Sequence, residues 1–376
     1  MAKVALFYLP AAEKGGVATA FRALAALLER HGVEVKVLVP YADDIARADI
    51  PSRYIVGCVR RRRLRCRVLL RAVNLFNLLT RYRFFFWGVP KVEHDVLVVY
   101  QAYANVHWWR YSRKPAFAWL HGVADAPLPT LADRIWSWSF RHDFARYAAV
   151  VAVADEVADS YVRRYALAKR PRVIANLTDA DRVVACGLKP APPPLRSGTR
   201  LAFVGRISQE KGLLRLIVAL SRLRREGRTD WSLDIVGDGD ERPVCERLAV
   251  AEGLGDFVRF AGMQENPQPF LRAADLLVVS SYHEGCPCVI AEALLNGTAV
   301  LATDCGGTRT ALRGGRWGRL VANTDEGLCE GLRQSLDDPA ALRSPIDFAA
   351  VAAEIRRANA EAAAELEGLF ALDGAL

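Results

Sequence analysis

Ten short runs of Val, Leu, Ile, Ala and Phe recur along this sequence, and most of them do not alternate with polar residues. The first five are VALFY (4–8), VEVKVLV (33–39), DVLVVY (95–100), AFAWL (116–120) and AVVAVA (149–154). The second five are LAFVG (201–205), SLDIVG (232–237), FVRFAG (257–262), DLLVVSS (275–281) and TAVLAT (298–303). A strand that is apolar on both faces must be covered on both faces, which is the condition of a parallel sheet flanked by helices. The stretches between the runs have helical periodicity, as in VATAFRALAALLERHG (17–32), which closes on Gly32 as a C-terminal cap. The pattern is α/β and doubly wound, and ligands of such sheets sit beyond the carboxyl ends of the strands.

KPAPPPLRSGT (189–199) separates the two sets of runs, and its four prolines can continue neither a helix nor a central strand. A chain of 376 residues also exceeds one ordinary core. The expected organisation is a first domain over 1–188, a linker over 189–199, a second domain over 200–347 and an Ala/Glu-rich C-terminal segment over 348–376, helical through FAAVAAEIRRANAEAAAELEGLF (348–370).

Composition excludes several classes. A content of 52% hydrophobic and 25% charged residues is that of a soluble globular protein. No apolar run approaches the ~20 residues that cross a bilayer, and the N-terminus enters the strand pattern too early for a signal peptide, so a cytoplasmic chain is expected. The eight cysteines (58, 66, 186, 245, 286, 288, 305 and 329) form no CxxC pair, which favours neither a disulfide framework nor a zinc site.

Two loops at strand ends carry the chemistry. LAFVG runs into RISQEKG, which places Arg206 and Lys211 on one strand-to-helix loop; a guanidinium and an ammonium together suit a diphosphate, and equally describe a solvated surface loop. DLLVVSS runs into Tyr282-His283-Glu284-Gly285-Cys286-Pro287, after which CVIAEALLNG reads as a helix with Pro at its start and Asn296-Gly297 at its end. The start of that helix offers unpaired N–H groups and a positive dipole end. Glu292 lies roughly 7–8 Å further along the helix than Pro287, so Glu284 and Glu292 can address groups at two ends of a diphosphate compound. Asp238-Gly239-Asp240 has the look of a metal-binding acidic pair, but its place directly after LDIVG marks a Gly-rich turn, and no metal is expected.

FVGRISQEKG, IVGDGDE, AADLLVVSSYHEGCPCVIAEAL and AVLATDCGG, in this order, resemble the retaining GT-B glycosyltransferases of family GT4, whose signature is a pair of glutamates with seven residues between. KGGVATAFRALAALLERHGVEVKVLV and AVVAVADEVADSYVRRY resemble the first part of the same fold more loosely. The resemblance implies two Rossmann-like domains facing a cleft, the C-terminal helix crossing back to the first domain, and transfer of a hexose or N-acetylhexosamine from a nucleotide sugar, commonly UDP-linked. It implies that Arg206 and Lys211 hold the donor diphosphate and that Glu292 accepts from the ribose hydroxyls. It further implies that Glu284 and the backbone of Gly285, Cys286, Pro287 and Cys288 meet the transferred sugar. His121, at the end of AFAWL, would approach the same sugar, with a structural role as the alternative. No metal or other cofactor is required where Arg and Lys neutralise the leaving group. Gly15 and Gly16, after the first strand, permit close backbone approach to a phosphate or acceptor. VIANLTDADR (173–182) departs from the family pattern, lacking a proline and a glycine around Asn176.

Charge is placed unevenly. Residues 1–150 carry 23 Lys and Arg against 11 Asp and Glu, whereas residues 151–376 carry 28 against 31, so the net +9 of the chain belongs to its first part. Residues 60–88 concentrate Arg60, Arg61, Arg62, Arg63, Arg65, Arg67 and Arg71 beside Leu64, Val68, Ala72, Leu75 and Leu79 at helical spacing, followed by Phe84-Phe85-Phe86-Trp87. A basic amphipathic helix of this kind suits an anionic membrane surface; ordinary surface charge and contact with nucleic acid are the alternatives. With the family resemblance, the expected partners are a nucleotide-sugar donor, a lipid-linked or cell-surface glycan acceptor and the cytoplasmic face of a membrane, in lipopolysaccharide or polysaccharide assembly, and no nucleic acid. A non-catalytic membrane-surface protein on a degenerate version of this fold is the reading from another class.

Overall fold

The structure, a computed structural model, describes residues 3–10, 15–60, 89–102, 106–124, 131–343 and 346–370. The chain divides into two compact units, Met1–Ala175 with Glu365–Leu376, and Asn176–Ala364.

Among the described residues the first unit is built on seven parallel strands: β1 (Val4–Tyr8), β2 (Glu34–Tyr41), β3 (Ile55–Arg60), β4 (Val96–Tyr100), β5 (Ala116–Leu120), β6 (Ala149–Ala152) and β7 (Arg172–Val173). Their order is β3-β2-β1-β4-β5-β6-β7. Both β4 and β5 are buried at every residue, as a strand covered by helices on both faces requires. The helix Gly16–Arg30 ends as its sequence predicts: Gly32 takes φ 75°, its N–H reaches the Glu29 carbonyl, and the Val33 N–H reaches the Leu28 carbonyl. Those two bonds satisfy carbonyls that the helix end leaves open, and the left-handed backbone there suits glycine.

The second unit holds six parallel strands: β8 (Thr199–Val204), β9 (Trp231–Val236), β10 (Val258–Gly262), β11 (Leu276–Val279), β12 (Ala299–Thr303) and β13 (Arg319–Val321). Their order is β10-β9-β8-β11-β12-β13. Leu201, Leu233, Ile235, Leu277, Val300 and Leu301 are fully buried in its core with Leu216, Leu220 and Ile290 from the flanking helices. Truncating one of them, as in Leu277→Ala, is expected to cost about 2–5 kcal/mol.

All ten apolar runs form strands. The three strands without such a run, β3, β7 and β13, each lie at a sheet edge, where Val56 and Arg172 are exposed and the apolar pattern is diluted. Arg60 ends β3 opposite Tyr41, so it begins no helix; residues 61–88, with Arg61, Arg62, Arg63, Arg65 and Arg67, lie outside the described residues.

The Pro-rich segment lies inside the second unit, because the helix Ala180–Gly187 that precedes it contributes Ala180 and Val183 to that unit's core. Asp234, buried under it, bonds Arg200 at 2.8 Å and Arg259 at 2.6 Å, and these arginines donate onward to the carbonyls of Pro192 and Pro193. The C-terminal helix Phe348–Phe370 starts in the second unit, with Val351 and Ile355 in its core, and its last turns belong to the first unit, where Phe370 meets Phe117 edge-on at 5.6 Å. Among the described residues no helix is long and apolar enough to cross a membrane.

Candidate active site

In the second sheet, the connection from β8 leads toward β9 and the connection from β11 leads toward β12, so the order reverses between the neighbours β8 and β11. Loops that diverge from adjacent strands leave a crevice at their carboxyl ends. Lys211 stands on the loop after β8 and Glu284 on the loop after β11. The Lys211 ammonium lies 2.8 Å from both carboxylate oxygens of Glu284. The Glu284 side chain is 8% exposed and that of Lys211 25%, so the pair is partly withdrawn from water and less screened than a surface pair. Ser281 Oγ donates to the same carboxylate at 2.6 Å.

Close backbone approaches hold the two loops together. Gly212, at φ 64°, would place a Cβ 2.2 Å from the Ser280 carbonyl, so only glycine fits there. A Cβ on Gly307 would lie 2.4 Å from the Gly285 carbonyl and 2.5 Å from that of Glu284, where the chain after β12 forms a single bridge between Glu284 and Gly306. The Tyr282 N–H donates to the Glu210 carbonyl at 2.8 Å.

Arg215 stands behind this arrangement, four residues after Lys211 and 5% exposed. Its guanidinium donates to the carbonyls of Ser280 at 2.7 Å and Ser281 at 2.8 Å, to Thr303 Oγ1 at 3.2 Å and to Asn323 Oδ1 at 2.8 Å. It also lies 3.9 Å from the Tyr282 ring centroid, and Asn323 donates in turn to the Tyr282 carbonyl. The ends of β11, β12 and β13 are thereby fixed by one side chain. Burial lowers the Arg215 pKa from its ordinary value, and the fork of acceptors keeps the cation bonded.

Glu292, buried on the helix Cys288–Leu295, accepts from Gln268 Nε2 at 2.7 Å. Asn296 Nδ2 donates to Gln268 Oε1 and to the Glu292 carbonyl, each at 2.9 Å. Cys288 occupies the start of that helix, where Asn176 Nδ2 reaches its sulfur at 3.7 Å. Burial pushes the Cys288 thiol well above the ordinary range, which makes it a packing residue and not a nucleophile. Arg206 is exposed, and among the described residues its guanidinium has no hydrogen-bond or ion-pair partner.

Sequence reading named Arg206, Lys211, Glu284 and Glu292, and the structure places all four on the second unit, with Lys211 and Glu284 in contact. It did not find Arg215, Gln268, Asn296 or Ser281. Arg215 is a polar position inside a helix-forming stretch and Gln268 stands between two prolines at the start of a short helix, and nothing local marks either as buried. Asp238 lies in a turn, as expected: one of its oxygens accepts from the Gly239 N–H at 2.8 Å and the other from Arg242 at 3.2 Å. Among the described residues no three His, Cys, Asp or Glu side chains are grouped so as to hold a metal ion.

His121 and Gly15-Gly16 lie on the first unit. His121 follows β5 at its carboxyl end, with its ring centroid 4.3 Å from that of Tyr100. Its Nε2 is shielded from solvent and has no partner among the described residues, and burial pushes its pKa down to about 3. The imidazole is therefore neutral at physiological pH. Gly15, at φ 156°, is exposed and precedes the first helix.

A family model described as Glycosyltransferase Family 4 matches residues 14–182, and one described as Glycosyl transferases group 1 matches residues 198–338. The chain is 37% identical over 168 residues to the lipopolysaccharide core biosynthesis glycosyltransferase LpsE of Rhizobium meliloti, a match over 44% of this chain and 48% of that protein. It is 29% identical over 250 residues to the alpha-D-kanosaminyltransferase of Streptomyces kanamyceticus, over 64% of each. These matches thus span about half to two thirds of the curated relatives. Among solved structures, it resembles HepE of Anabaena in complex with UDP and glucose, with a TM-score of 0.72 at 18% identity, over 97% of this chain and 100% of that one. It likewise resembles the sucrose-phosphate synthase of Thermosynechococcus elongatus, with a TM-score of 0.74 at 19% identity, over 98% of both. At these identities the likeness establishes the fold, which is GT-B.

Proposed function

From a chain that belongs to the group 1, family 4 glycosyltransferases, we propose an enzyme that moves a hexose or N-acetylhexosamine from a nucleoside diphosphate sugar, with UDP as the nucleotide, to a lipid-linked or cell-surface glycan acceptor. The bond from the anomeric carbon to the diphosphate breaks and a bond to an acceptor hydroxyl forms on the same face. The acceptor proton passes to the leaving phosphate oxygen.

The observation that carries this reading is the pairing of Lys211 with Glu284 at the reversal point of the second sheet. A departing nucleoside diphosphate gains negative charge, and preorganised cations stabilise such charge most effectively in a site withdrawn from water. Lys211 and the exposed Arg206 supply the cations, and the N–H groups at the start of the helix Cys288–Leu295 supply dipoles. Glu284 addresses the sugar hydroxyls and Glu292, held by Gln268, the ribose. In this reading the cationic role falls to side chains, and neither metal nor cofactor takes part; chelator treatment should leave transfer unchanged. His121, neutral, lies against the sugar without acting as a nucleophile.

LpsE is named for lipopolysaccharide core biosynthesis, which supports an acceptor of that kind for this chain. The arginine-rich residues 60–67 and the net charge of residues 1–150 support attachment to an anionic lipid surface, with the protein at the cytoplasmic face of the membrane.

The test is a thermal-shift panel of UDP-, GDP- and ADP-sugars, since a ligand that binds only the folded state raises its stability. A rise with UDP-sugars supports the proposal, and release of UDP in the presence of a lipid-linked acceptor would establish transfer. Absence of any shift across the panel, together with absence of nucleotide release, would sink it.

A further inference from the structure

The contact between Lys211 and Glu284 sets up a competition. One ammonium sits 2.8 Å from both oxygens of one carboxylate. If Lys211 serves a diphosphate, that anion and Glu284 must share it. The rearrangement cannot be made by turning Glu284 away, because Ser281 Oγ holds its carboxylate at 2.6 Å and its backbone is pinned against Gly306 and Gly307. Lys211 is the more exposed and more flexible partner, on a four-carbon stem, so it is Lys211 that moves.

We propose that Glu284 competes with the diphosphate for Lys211 and so makes the site discriminate between an intact nucleotide sugar and the bare nucleoside diphosphate. This rests on the glycosyltransferase reading above and adds a consequence to it. When the bare diphosphate binds, Lys211 turns to the phosphates and Glu284 is left as a buried carboxylate that has lost its cation, which opposes binding. When the intact donor binds, sugar hydroxyls donate to Glu284 and replace the bonds Lys211 gave up. The carboxylate thus favours the substrate and disfavours the nucleotide product. After transfer, Lys211 returns to Glu284 as the diphosphate leaves.

The opposite expectation is the usual one, since removing a polar group from a ligand site ordinarily weakens binding. Here the charge-neutral Glu284→Gln keeps the side chain's size and can still accept from Ser281, and it releases Lys211 from its carboxylate. Binding of UDP, GDP and ADP and of the corresponding nucleotide hexoses is measured by calorimetry for the wild type, Glu284→Gln, Lys211→Met and the double variant, each checked for cooperative unfolding. Glu284→Gln should bind the preferred nucleoside diphosphate about tenfold more tightly than the wild type, because Lys211 no longer has to be drawn from a carboxylate, while its preference for the nucleotide sugar over the diphosphate falls. In the Lys211→Met background the same change should bring no such gain.

Equal or weaker diphosphate binding by Glu284→Gln overturns the proposal, and so does a gain that persists in the double variant. A wild type that binds nucleotide sugars while Glu284→Gln gains nothing overturns this proposal alone. If neither the wild type nor Glu284→Gln binds any nucleotide of the panel, the glycosyltransferase reading falls with it.

Discussion

The carboxyl ends of the two sheets are finished in different ways. At the second sheet, Lys211, Glu284, Ser281, Arg215, Gln268 and Glu292 are tied to one another or to backbone carbonyls, and glycines at 212 and 307 bring the loops to within van der Waals contact. At the first sheet, His121 rests against Tyr100 with a shielded Nε2 that has no partner among the described residues, and Gly15 and Gly16 contribute no side chain. A site assembled before its ligand arrives suits a group of fixed charge and shape, because the entropy of ordering it has been met in folding. Among the described residues, a neutral ring and bare backbone present shape and little charge. The proposed division of labour follows, with the diphosphate on the second unit and the less charged groups on the first.

That contrast can be broken at its strongest point first. Arg215→Met removes one cation and leaves four acceptors behind the Glu284 loop without their donor, so chemical denaturation should show a loss of about 3–5 kcal/mol. Arg215→Lys should recover part of that stability, since an ammonium retains the charge but not the fork. A loss under 1 kcal/mol in Arg215→Met would mean that the second site is not held together as described. Next, Lys211→Met is expected to lower sugar transfer about 10²–10³-fold, the scale of losing one preorganised group at a developing negative charge. Stability should also fall, because Glu284 loses its cation, but by less than in Arg215→Met, which a melting curve on the same sample would reveal.

A weaker effect is expected at Gln268. Gln268→Ala deprives Glu292 of a hydrogen bond and should weaken nucleotide binding about tenfold, read by calorimetry. The smallest effect sharpens the description of the first sheet. Because burial holds the folded pKa of His121 at about 3 against an ordinary 6.5, the unfolded chain takes up its proton first as pH falls. Stability from this group is therefore complete above about pH 6.5 and is lost progressively toward pH 3. In His121→Phe, the dependence of melting temperature on pH should be flatter across that window. An unchanged slope would show that His121 is readily protonated in the folded protein and that the two sheet ends are less unlike than described.

Much of this was legible in the sequence, for physical reasons that also explain what was not. β4, β5, β11 and β12 are covered on both faces, so their apolar runs admit no other reading. β3, β7 and β13 lie at edges and are written in mixed residues. Glu284 and Glu292 could be singled out as candidates because their spacing along one loop and helix is itself the signal. Arg215 could not, since its acceptors lie 65 to 108 residues away and two of the four are main-chain carbonyls, which any residue type supplies. The boundary expected at 189–199 falls inside the second unit for a related reason. Proline content reports that a segment is irregular, whereas the core in which Ala180 and Val183 are buried decides which body it belongs to.

The placement of the C-terminal helix has a consequence for how the chain is made. Phe117 is 3% exposed, and one of the side chains against it is Phe370, with Lys3 bonded to the carbonyl of the same residue. During synthesis the seven strands of the first sheet leave the ribosome well before residue 370 does. At ~5–20 residues per second, roughly ten seconds or more separate the last of those strands from the residues that cover it. Through that interval the nascent first unit carries an open apolar seam, and it is completed only after the whole of the second unit has emerged.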